Sequence, residues 1–513
     1  MEGKVWLTGA GPGDPGLFTI KGREVLEQAE VVVYDRLVGQ GILNLIPAQA
    51  EMIDVGKRAG THTMPQEEIN RILFEKAQQG KRVVRLKGGD PFLFGRGGEE
   101  LTLLKEHGIP FEVVPGVTSA FAVPAYGGIP VTHRDFASSV HVITGHKKAG
   151  EKLHLDFEAL VRLDGTLVFL MGVSAIPDIC QGLLAAGMEP KMPVAVLQQG
   201  TSARQKKIIT DLAHIRQQVK KQGVHTPAIL MVGRVCVLGN EFEWYETFPL
   251  FGQKILVTRP RERSGTLSGR LRRLGAEVLE LPAIRTELIE DNCRLIEEME
   301  RLSDYQYLVF TSPAGARLFF QELKKQKKDI RSIGKARIAA IGAGTRKELE
   351  NRGLICDLMP EIYDGKHLGM LLGETCQSGE RLLIPRAEQG NALLTEEIEK
   401  RVSVEITDLP VYRTLYEKPS ELIDEKQEFE NGQIQMAVFT SASTVQGFAA
   451  SAGGLDYSLV QAVCIGAQTE QAAKALGMQT FVSKRADLDS LVDVCVSIAE
   501  MKKQEADTYG TNS

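Results

Sequence analysis

Short apolar segments alternate with amphipathic segments along the first part of the chain, and this alternation constrains the fold more than any other feature. The apolar segments predict strands and the amphipathic segments predict helices. In chain order these are the strand Val5–Leu7, the helix Ile20–Ala29, the strand Val31–Tyr34, the helix Gln66–Gln79, the strand Arg82–Leu86, the helix Glu99–His107 and the strand Phe111–Val114. Such alternation is typical of βαβ units with a largely parallel sheet, whose ligands bind at the carboxyl ends of the strands. We therefore predict an α/β fold.

The composition argues against several classes of protein. With 513 residues, 43% of them hydrophobic, the chain has room for about three domain-sized units and is too apolar to be disordered. The net charge of −5 argues against a nucleic-acid partner. No apolar run is long enough to span a membrane, and no signal peptide is predicted. Seven cysteines without a C-x-x-C pair indicate reduced thiols in a cytoplasmic protein and no metal site.

The segment from Asn240 to Gly252 divides the chain. It contains several aromatic side chains, Phe242, Trp244, Tyr245, Phe248 and Phe251. A free linker is not this aromatic, so we interpret the segment as a docked boundary. We expect one domain at residues 1–245, a linker at 246–251, a second domain at 252–500 and a polar tail at 501–513.

The second half contains an internal repeat. Three segments recur at nearly the same offset: KILVTRP as RLLIPRA, VFTSPAG as VFTSAST, and IAAIGAGT as AVCIGAQT. The paired residues are Arg259 and Arg386, Ser312 and Ser441, and Gly342 and Gly466. The repeat predicts two similar α/β lobes that face a shared cleft. The alternative is that any two strand–turn–helix units look alike.

A glycine-rich loop, Gly11-x-Gly13-x-x-Gly16, follows the first predicted strand. With Asp35 at the end of the next strand, it matches the dinucleotide-binding fingerprint and would indicate a nicotinamide-dependent oxidoreductase. Two prolines in the loop, Pro12 and Pro15, remove amide donors that a pyrophosphate would need. A tight turn explains the loop equally well.

A longer glycine-rich block runs from Arg85 to Glu100, RLKGGDPFLFGRGGEE. Its Gly88–Gly89 pair leaves space for a ligand against the backbone. Together with GAGPGDP (Gly9–Pro15), VVVYDRLV (Val31–Val38) and the block Val114–Arg134, it resembles the tetrapyrrole methylases, most closely uroporphyrinogen-III C-methyltransferase. The resemblance covers about residues 1–245. It implies two α/β subdomains that bind S-adenosylmethionine, without a metal, in a homodimer formed through this half.

The resemblance also implies roles for individual residues. The cofactor contacts are Pro12, Gly88, Gly89, Asp90, Leu93, Thr118, Ser119, Met171, Gly200 and Ala228. Methylation of a pyrrole carbon ends with loss of a ring proton, so a base and a nearby cation are expected. Asp35 and Lys57 match the family's catalytic positions. Four arginines would bind substrate carboxylates: Arg36, Arg58, Arg96 and Arg134. Alternatively, Asp35 caps the strand end and Lys57 is a solvated lysine or a carboxylate contact.

Residues 252–500 resemble uroporphyrinogen-III synthase through the repeated segments and LPVYRT (Leu409–Thr414). The resemblance implies one lobe from 252–284 and 413–500, and another from 285–411. The family closes hydroxymethylbilane to uroporphyrinogen III with inversion of the last ring and needs no cofactor. Tyr412 matches the family tyrosine associated with proton donation, and the proposed substrate-binding residues are Arg259, Ser312, Arg386 and Ser441.

The chain is thus expected to be a bifunctional tetrapyrrole enzyme. The second half would make uroporphyrinogen III, and the first would methylate it at C2 and C7 to precorrin-2, for sirohaem or cobalamin. Two alternatives remain open. One is the nicotinamide-dependent oxidoreductase, and the other is an active methylase followed by a non-catalytic, tetrapyrrole-binding regulatory half.

Overall fold

The structure is a computed structural model that describes residues 3–47, 49–56, 64–145, 153–259, 261–390, 392–416 and 425–510. Its contacts divide the chain into two compact units. The first comprises Met1–Lys254 and Leu271–Leu279, and the second comprises Ile255–Arg270 and Glu280–Ser513. In the part of the chain that the structure describes, every helix is too short or too polar to span a membrane.

The first unit begins with a five-stranded parallel sheet and its helices. In chain order these are β1 (Lys4–Gly9), α1 (Ile20–Glu27), β2 (Val31–Tyr34), α2 (Gln40–Leu43), β3 (Glu51–Asp54), α3 (Gln66–Gln78), β4 (Arg82–Lys87), α4 (Gly97–Glu106), β5 (Phe111–Val114) and α5 (Ser119–Tyr126). The strand order is β3-β2-β4-β1-β5, and all neighbours are parallel. All four residues of β2 are buried, as expected for a strand covered on both faces.

The seven elements predicted for this region are confirmed, with ends that differ by at most a few residues. The short elements α2 and β3 and the helix α5 were not predicted. Apolar side chains of β1, β2, β4, α3 and α4 form a single buried cluster, to which Val5, Val33, Val83, Leu73 and Leu104 contribute. This core fixes the parallel strands with their carboxyl ends at a common edge.

A second five-stranded sheet follows in the first unit. Its elements are β6 (Val140–Thr144), α6 (Phe157–Arg162), β7 (Thr166–Leu170), α7 (Ile176–Ala185), β8 (Pro193–Gln198), β9 (Lys206–Asp211), α8 (Ile215–Lys221) and β10 (Ala228–Val232). The order is β6-β7-β10-β8-β9, with β6 parallel to β7 and the remaining pairs antiparallel. The first half is therefore composed of two α/β subdomains, as predicted.

The aromatic segment after β10 packs within the first unit. The Trp244 indole donates a hydrogen bond of 2.8 Å to the Ala125 carbonyl. The Tyr245 ring lies 4.7 Å from that of Tyr126 and 5.4 Å from that of Phe251, measured between centroids. The division between the units falls after Lys254, just beyond the predicted linker 246–251.

The remaining elements form two further five-stranded sheets. In chain order they are β11 (Lys254–Val257), α9 (Arg261–Arg273), β12 (Glu277–Glu280), β13 (Ile284–Leu288), α10 (Cys293–Glu300), β14 (Tyr307–Phe310), α11 (Pro313–Lys325), β15 (Arg337–Ala340), α12 (Ala343–Glu350), α13 (Gly365–Thr375), β16 (Arg381–Ala387), α14 (Leu393–Glu399), β17 (Glu405–Tyr416), α15 (Glu425–Glu430), β18 (Met436–Phe439), α16 (Ala442–Ser451), β19 (Gln461–Cys464), α17 (Ala467–Ala475), β20 (Gln479–Val482) and α18 (Leu488–Gly510). The sheet orders are β12-β11-β18-β19-β20 and β13-β17-β16-β14-β15.

The internal repeat is visible in these two sheets. Strands β11, β18 and β19 are neighbours in one sheet, and the matching strands β16, β14 and β15 are neighbours in the other. Ser312 and Ser441 cap the helices that follow β14 and β18, with nearly equal backbone angles. Gly342 and Gly466 precede the helices after β15 and β19 in the same way. The prediction of two similar α/β lobes is confirmed.

Two element ends differ from the boundaries expected from the sequence. Strand β17 continues to Tyr416, beyond the expected lobe boundary at 411. Helix α18 continues to Gly510, so residues 501–510 of the predicted polar tail belong to the last helix.

Candidate functional site

The glycine-rich segments of the first unit meet at the carboxyl edge of its parallel sheet. Gly11 and Gly89 exchange backbone hydrogen bonds, with Gly11 N–O Gly89 at 3.1 Å and Gly89 N–O Gly11 at 2.8 Å. A Cβ atom on Gly116 would lie 2.2 Å from the Gly89 carbonyl oxygen, and one on Gly9 would lie 2.5 Å from the Gly116 Cα. Gly9 and Gly116 are therefore required for close backbone packing rather than for contact with a ligand.

Gly89 differs from its neighbours because it borders open space. Its φ is +67°, and no atom lies within 4 Å of the position of an added Cβ. At Gly88, by contrast, an added Cβ would lie 2.6 Å from the Leu37 Cβ. The side-chain direction of Gly89 is therefore open, whereas Leu37 covers that of Gly88.

Asp90 organises the loop that follows. Its Oδ1 accepts hydrogen bonds from the backbone N–H groups of Phe92, at 2.8 Å, and Leu93, at 3.2 Å. Its Oδ2 accepts one from Gly116 N–H at 3.1 Å. Leu93 itself packs against the core of the second sheet. These bonds tie the loops after β4 and β5 together, a role for Asp90 that the sequence did not reveal.

The other predicted cofactor residues come from three further loops. Thr118 caps α5, and its Oγ1 accepts a hydrogen bond from Ala120 N–H at 3.2 Å, so that Ser119 begins the helix. Pro12 lies beside the second sheet, since its carbonyl accepts a hydrogen bond of 3.3 Å from Thr201 Oγ1. Gly200 precedes Thr201 and packs so closely on Val123 that an added Cβ would lie 2.3 Å away. The structure therefore brings Pro12 and the Gly200 loop together.

Met171 and Ala228 occupy different surroundings. Met171 follows β7 with a positive φ of 55°, and its side chain is 49% exposed. Met171 is therefore a surface residue and not part of the core. Ala228 begins β10, where it pairs with Gln198, and packs against the core of the second sheet.

The dinucleotide-binding alternative requires the glycine-rich loop to open a helix. Here the loop leads into a short 3₁₀ turn at Pro15–Leu17, which Asp14 caps through Gly16 N–H. Helix α1 begins only at Ile20, where Thr19 is the cap. The glycines therefore do not present a helix N-terminus to a pyrophosphate, as the fingerprint requires.

Asp35 follows β2, and each of its carboxylate oxygens contacts another residue of the first unit. Oδ1 accepts a hydrogen bond from Leu37 N–H at 3.0 Å, and Oδ2 lies 3.5 Å from Nη2 of Arg85. The side chain of Asp35 is 24% exposed. Lys57 and Arg58 lie outside the described residues.

The other arginines proposed for substrate carboxylates differ in their contacts. Arg36 and Arg134 are exposed. Arg96 forms an ion pair with Glu99, at distances of 2.9 and 2.5 Å. Hydrogen bonding from Arg96 lowers the pKa of the Glu99 carboxyl. A substrate carboxylate would therefore have to compete with Glu99 for Arg96.

Sequence reasoning missed a cluster of buried charges beneath the edge of the sheet. Arg85 and Lys87 of β4 both contact Glu100 of α4, at 3.2 Å and 2.8 Å. Burial lowers the pKa of Lys87, and Arg85 lowers it further, whereas Glu100 and Asp35 oppose the shift. The available signal was the pair of cations Arg85 and Lys87, at alternate positions in a strand that also begins with Arg82.

The candidate site of the second unit contains one close pair of hydroxyl groups. The Ser312 and Tyr412 hydroxyl oxygens are 2.9 Å apart, and Tyr412 is buried. Ser312 Oγ also accepts a hydrogen bond from Gly315 N–H at 2.9 Å. The structure therefore brings together two of the five residues proposed for this unit.

The other three residues have different contacts. Arg386 is buried and forms a two-pronged ion pair with Asp408, with Nε–Oδ1 at 2.6 Å. Ser441 forms a capping box with Thr444 at the start of α16. Arg259 follows β11 and is half-buried. Arg386 is consequently available to a substrate only if Asp408 shares or releases it.

Two family descriptions match the chain. Tetrapyrrole (Corrin/Porphyrin) Methylases match residues 4–216. Uroporphyrinogen-III synthase HemD matches residues 265–493. The matches cover different halves of the chain, in the order expected from the sequence.

Individual relatives extend these matches. "Porphyrin biosynthesis protein HemD" of Ruminiclostridium josui is 46% identical over 97% of this chain and 98% of its own length. "Uroporphyrinogen-III C-methyltransferase" of Bacillus subtilis is 43% identical over 70% of this chain and 74% of its own length. A solved structure of uroporphyrin-III C-methyl transferase from Thermus thermophilus, complexed with S-adenyl homocysteine, is 39% identical. It covers 46% of this chain and 100% of that one, with a TM-score of 0.40.

The relative from R. josui aligns over nearly its whole length, and the two family matches fall in succession along the chain. The chain therefore belongs to the family of tetrapyrrole-biosynthesis fusion proteins in which a uroporphyrinogen-III C-methyltransferase domain precedes a uroporphyrinogen-III synthase domain.

Proposed function

We propose that the first unit methylates uroporphyrinogen III at C2 and C7 to give precorrin-2, and that the second unit makes uroporphyrinogen III from hydroxymethylbilane. The observation that carries the first proposal is the open space beside Gly89, at the carboxyl edge of a parallel sheet. The family assignment of both halves supports the pairing of the two reactions. The product of the second unit would then be the substrate of the first.

The residues proposed to bind the cofactor have a chemistry that suits S-adenosylmethionine. A side chain at Gly89 would fill the space, as expected where a ligand lies against the backbone. Exposed Met171 offers an apolar, polarisable contact, while Pro12 and the Thr118–Ser119 turn offer backbone groups. Asp90 holds the loops that border this space. When bound, S-adenosylmethionine supplies an electrophilic methyl group.

Asp35 acts as the proton acceptor in this proposal. The methylated ring must lose a proton, and a carboxylate held near the substrate can receive it. Leu37 N–H and Arg85 fix the Asp35 carboxylate from the protein side, and about a quarter of the side chain remains accessible. Arg36 and Arg134 are exposed and can bind carboxylates of the macrocycle.

In the second unit, Tyr412 donates a proton to the departing hydroxyl of hydroxymethylbilane. Its contact with Ser312 supports this role, because a second hydroxyl can orient the phenol and take part in proton transfer. The rest of the task is to hold the linear substrate for closure after ring inversion, which is chiefly a matter of positioning. Arg259, Arg386 and Ser441 are proposed to bind its acetate and propionate groups.

The cofactor proposal is tested by calorimetric binding of S-adenosylhomocysteine to the full-length chain. We expect Gly89→Val to abolish binding. Gly108→Val is the matched control, since Gly108 has φ +68° and also has no atom within 4 Å of an added Cβ. The two substitutions impose the same backbone strain. Normal binding by a folded Gly89→Val protein would overturn the assignment.

The synthase proposal is tested by supplying hydroxymethylbilane to the full-length chain without S-adenosylmethionine. We expect mainly isomer III, measured by chromatography of the oxidised porphyrins. A mixture equal to the enzyme-free control would overturn the synthase proposal and leave the alternative of a non-catalytic second unit. Adding S-adenosylmethionine should then increase the product mass by two methyl groups. The two assays differ only in the presence of S-adenosylmethionine.

A further inference from the structure

Four charged side chains form a continuous chain beneath the carboxyl edge of the parallel sheet. Arg85 and Lys87 lie on the same face of β4, two residues apart, where α4 packs. Their side chains are 4% and 7% exposed, and that of Glu100 is 1% exposed. The fourth member, Asp35, lies at the end of neighbouring β2 and is the only one with substantial exposure. Removing charged groups of this kind from water costs free energy, which ion pairing offsets only in part.

Glu100 lies at the centre of the chain of charges. Its Oε1 accepts hydrogen bonds from Lys87 Nζ at 2.8 Å, Arg85 Nε at 3.2 Å and Gln66 Nε2 at 3.2 Å. Among the described residues, its buried Oε2 has no hydrogen-bond partner. All three donors thus converge on a single oxygen. A buried carboxylate oxygen left unsatisfied costs stability, so packing alone does not account for an acid at this position.

Arg85 connects Glu100 to Asp35. Its Nη1 donates to the carbonyl oxygens of Leu86, at 2.9 Å, and Val33, at 3.3 Å. Its Nη2 lies 3.5 Å from Asp35 Oδ2. Since a guanidinium is planar, fixing Nε on Glu100 and Nη1 on the backbone also fixes the direction of Nη2. The orientation of the Asp35 carboxylate therefore depends on Glu100, although the two residues do not touch.

We propose that Glu100 is a positioning residue for methyl transfer, which acts through Arg85 to hold the Asp35 carboxylate in its reactive orientation and to balance the positive charge beside it. The inference rests on the proposed role of Asp35 as proton acceptor. It adds Glu100, which lies on α4 at the end of the glycine-rich block, to the machinery of the first unit.

Removal of the Glu100 charge has a predictable electrostatic effect. Among the described residues, the charged groups that face Glu100 are Arg85 and Lys87 from β4, Arg96 at the start of α4 and, beyond Arg85, Asp35. Helix α3 contributes the neutral Gln66. Without the Glu100 charge, the cations near Asp35 are in excess, so the Asp35 carboxylate becomes a weaker base.

The test measures the pH dependence of methylation by the full-length Glu100→Gln protein. Glutamine keeps the size and an acceptor oxygen but removes the charge. We expect a loss in rate on the order of 10²-fold, because displacement of a reacting group by about 1 Å has this effect. The acidic limb of the pH–rate profile should move to lower pH, while S-adenosylhomocysteine affinity stays normal. Glu106→Gln, an exposed position on the same helix, should leave the rate, the profile and the affinity unchanged.

A purely structural role would lower stability without moving the pH profile, and a profile equal to that of the parent would overturn the proposal. If Glu100→Gln does not fold, Arg85→Lys replaces it, since lysine keeps the charge but cannot contact Glu100, Asp35 and the backbone together. We expect the same loss in rate with normal affinity.

The double variant Asp35→Asn/Glu100→Gln separates this proposal from the proposed function. We expect it to be no slower than Asp35→Asn alone, because Glu100 acts only through Asp35. Additive losses would refute the pathway through Arg85 while leaving the role of Asp35 intact. If Asp35→Asn alone methylates at the parent rate, the proposed role of Asp35 fails and this inference fails with it.

Discussion

The hydroxyl of Tyr126, at the end of α5, donates a hydrogen bond of 2.6 Å to Oδ2 of Asp14 in the glycine-rich loop. The other oxygen of Asp14 accepts Gly16 N–H at 2.7 Å. Burial and this contact with Asp14 raise the pKa of Tyr126, so the phenol stays protonated and remains a donor. The loop that carries Pro12 is thereby tied to the helix that follows Thr118 and Ser119.

We expect Tyr126→Phe to loosen this loop while preserving the ring contacts with Trp244 and Tyr245. Loss of a hydrogen bond to a charged group costs about 1.5–3 kcal/mol, and we expect the lower end because Asp14 is only half-buried. Hydrogen exchange should become faster in the peptide that covers residues 10–18. Unchanged exchange in that peptide would show that Gly16 N–H alone holds Asp14.

Gly116→Ala tests the close backbone packing at the sheet edge. The new Cβ would lie 2.2 Å from the Gly89 carbonyl oxygen and 2.7 Å from the Gly9 Cα, and backbone atoms cannot yield easily. We expect the free energy of unfolding to fall by about 1–3 kcal/mol, the usual range for overpacking. Urea denaturation followed by tryptophan fluorescence reports on the first unit, since the two tryptophans, Trp6 and Trp244, both lie there.

The control for Gly116→Ala is Gly98→Ala in α4. Gly98 has no atom within 4 Å of an added Cβ and lies in a helix. Alanine should stabilise the first unit there by about 0.5–1 kcal/mol, because glycine loses more backbone entropy on folding. Equal effects of the two substitutions would contradict the packing described at Gly116.

Glu112 gives the first unit a pH-dependent contribution to stability. Hydrogen bonds from Lys21 and Lys4 lower the pKa of Glu112 from its ordinary 4.5 to about 2. Since the folded-state pKa is depressed, the stabilisation is complete above 4.5 and is lost as the pH falls towards 2.

We expect Glu112→Gln to lower the free energy of unfolding by about 1 kcal/mol or less at pH 7, because the ion pairs are partly exposed. The difference from the parent should shrink as the pH is lowered through the acid range. Urea denaturation at several pH values measures it, and Trp6 fluorescence is a local reporter, since Lys4 Nζ lies 4.7 Å from the ring centroid. Glu24→Gln serves as the control on the same surface. A pH-independent difference would exclude ionisation of Glu112 as the cause.

Tyr412→Phe tests the hydroxyl pair of the second unit. We expect the rate of uroporphyrinogen III formation to fall on the order of 10²-fold, as for loss of a general acid, with isomer III still the main product. Tyr416→Phe is the control, because Tyr416 lies on the same strand with its hydroxyl 3.0 Å from Gln446 Oε1. A rate equal to that of the parent would exclude proton donation by Tyr412.

The sequence predicts local elements well where a periodic pattern is long enough. The ends of helix α3 and strand β4 lie within one residue of the predicted ends. In α3 the apolar positions repeat over several helical turns, and β4 contains a clear apolar segment. Strand β3 escaped prediction because charged residues occupy both ends of its four positions, and α2 has only one turn. The repeated segments of the second half predicted two lobes correctly, since each carries its own strand and cap.

The partners of charged residues could not be predicted. Arg386 was expected to face substrate, yet the ion pair with Asp408 depends on the register between β16 and β17. Likewise, the contacts of Arg85 and Lys87 with Glu100 depend on how α4 packs over β4. A sequence places such residues on strands and helices, but only tertiary packing determines which of them meet.

The order of the strands in the last two sheets determines how this half can fold during synthesis. Strand β11 pairs with β18, with Ile255 opposite Met436, while all five strands of the other sheet lie between residues 284 and 416. On the ribosome, the inner sheet is complete while β11 still lacks that neighbour. We therefore expect the lobe of residues 284–416 to be able to fold first, whereas the sheet that contains β11 can form only after β18 has been synthesised.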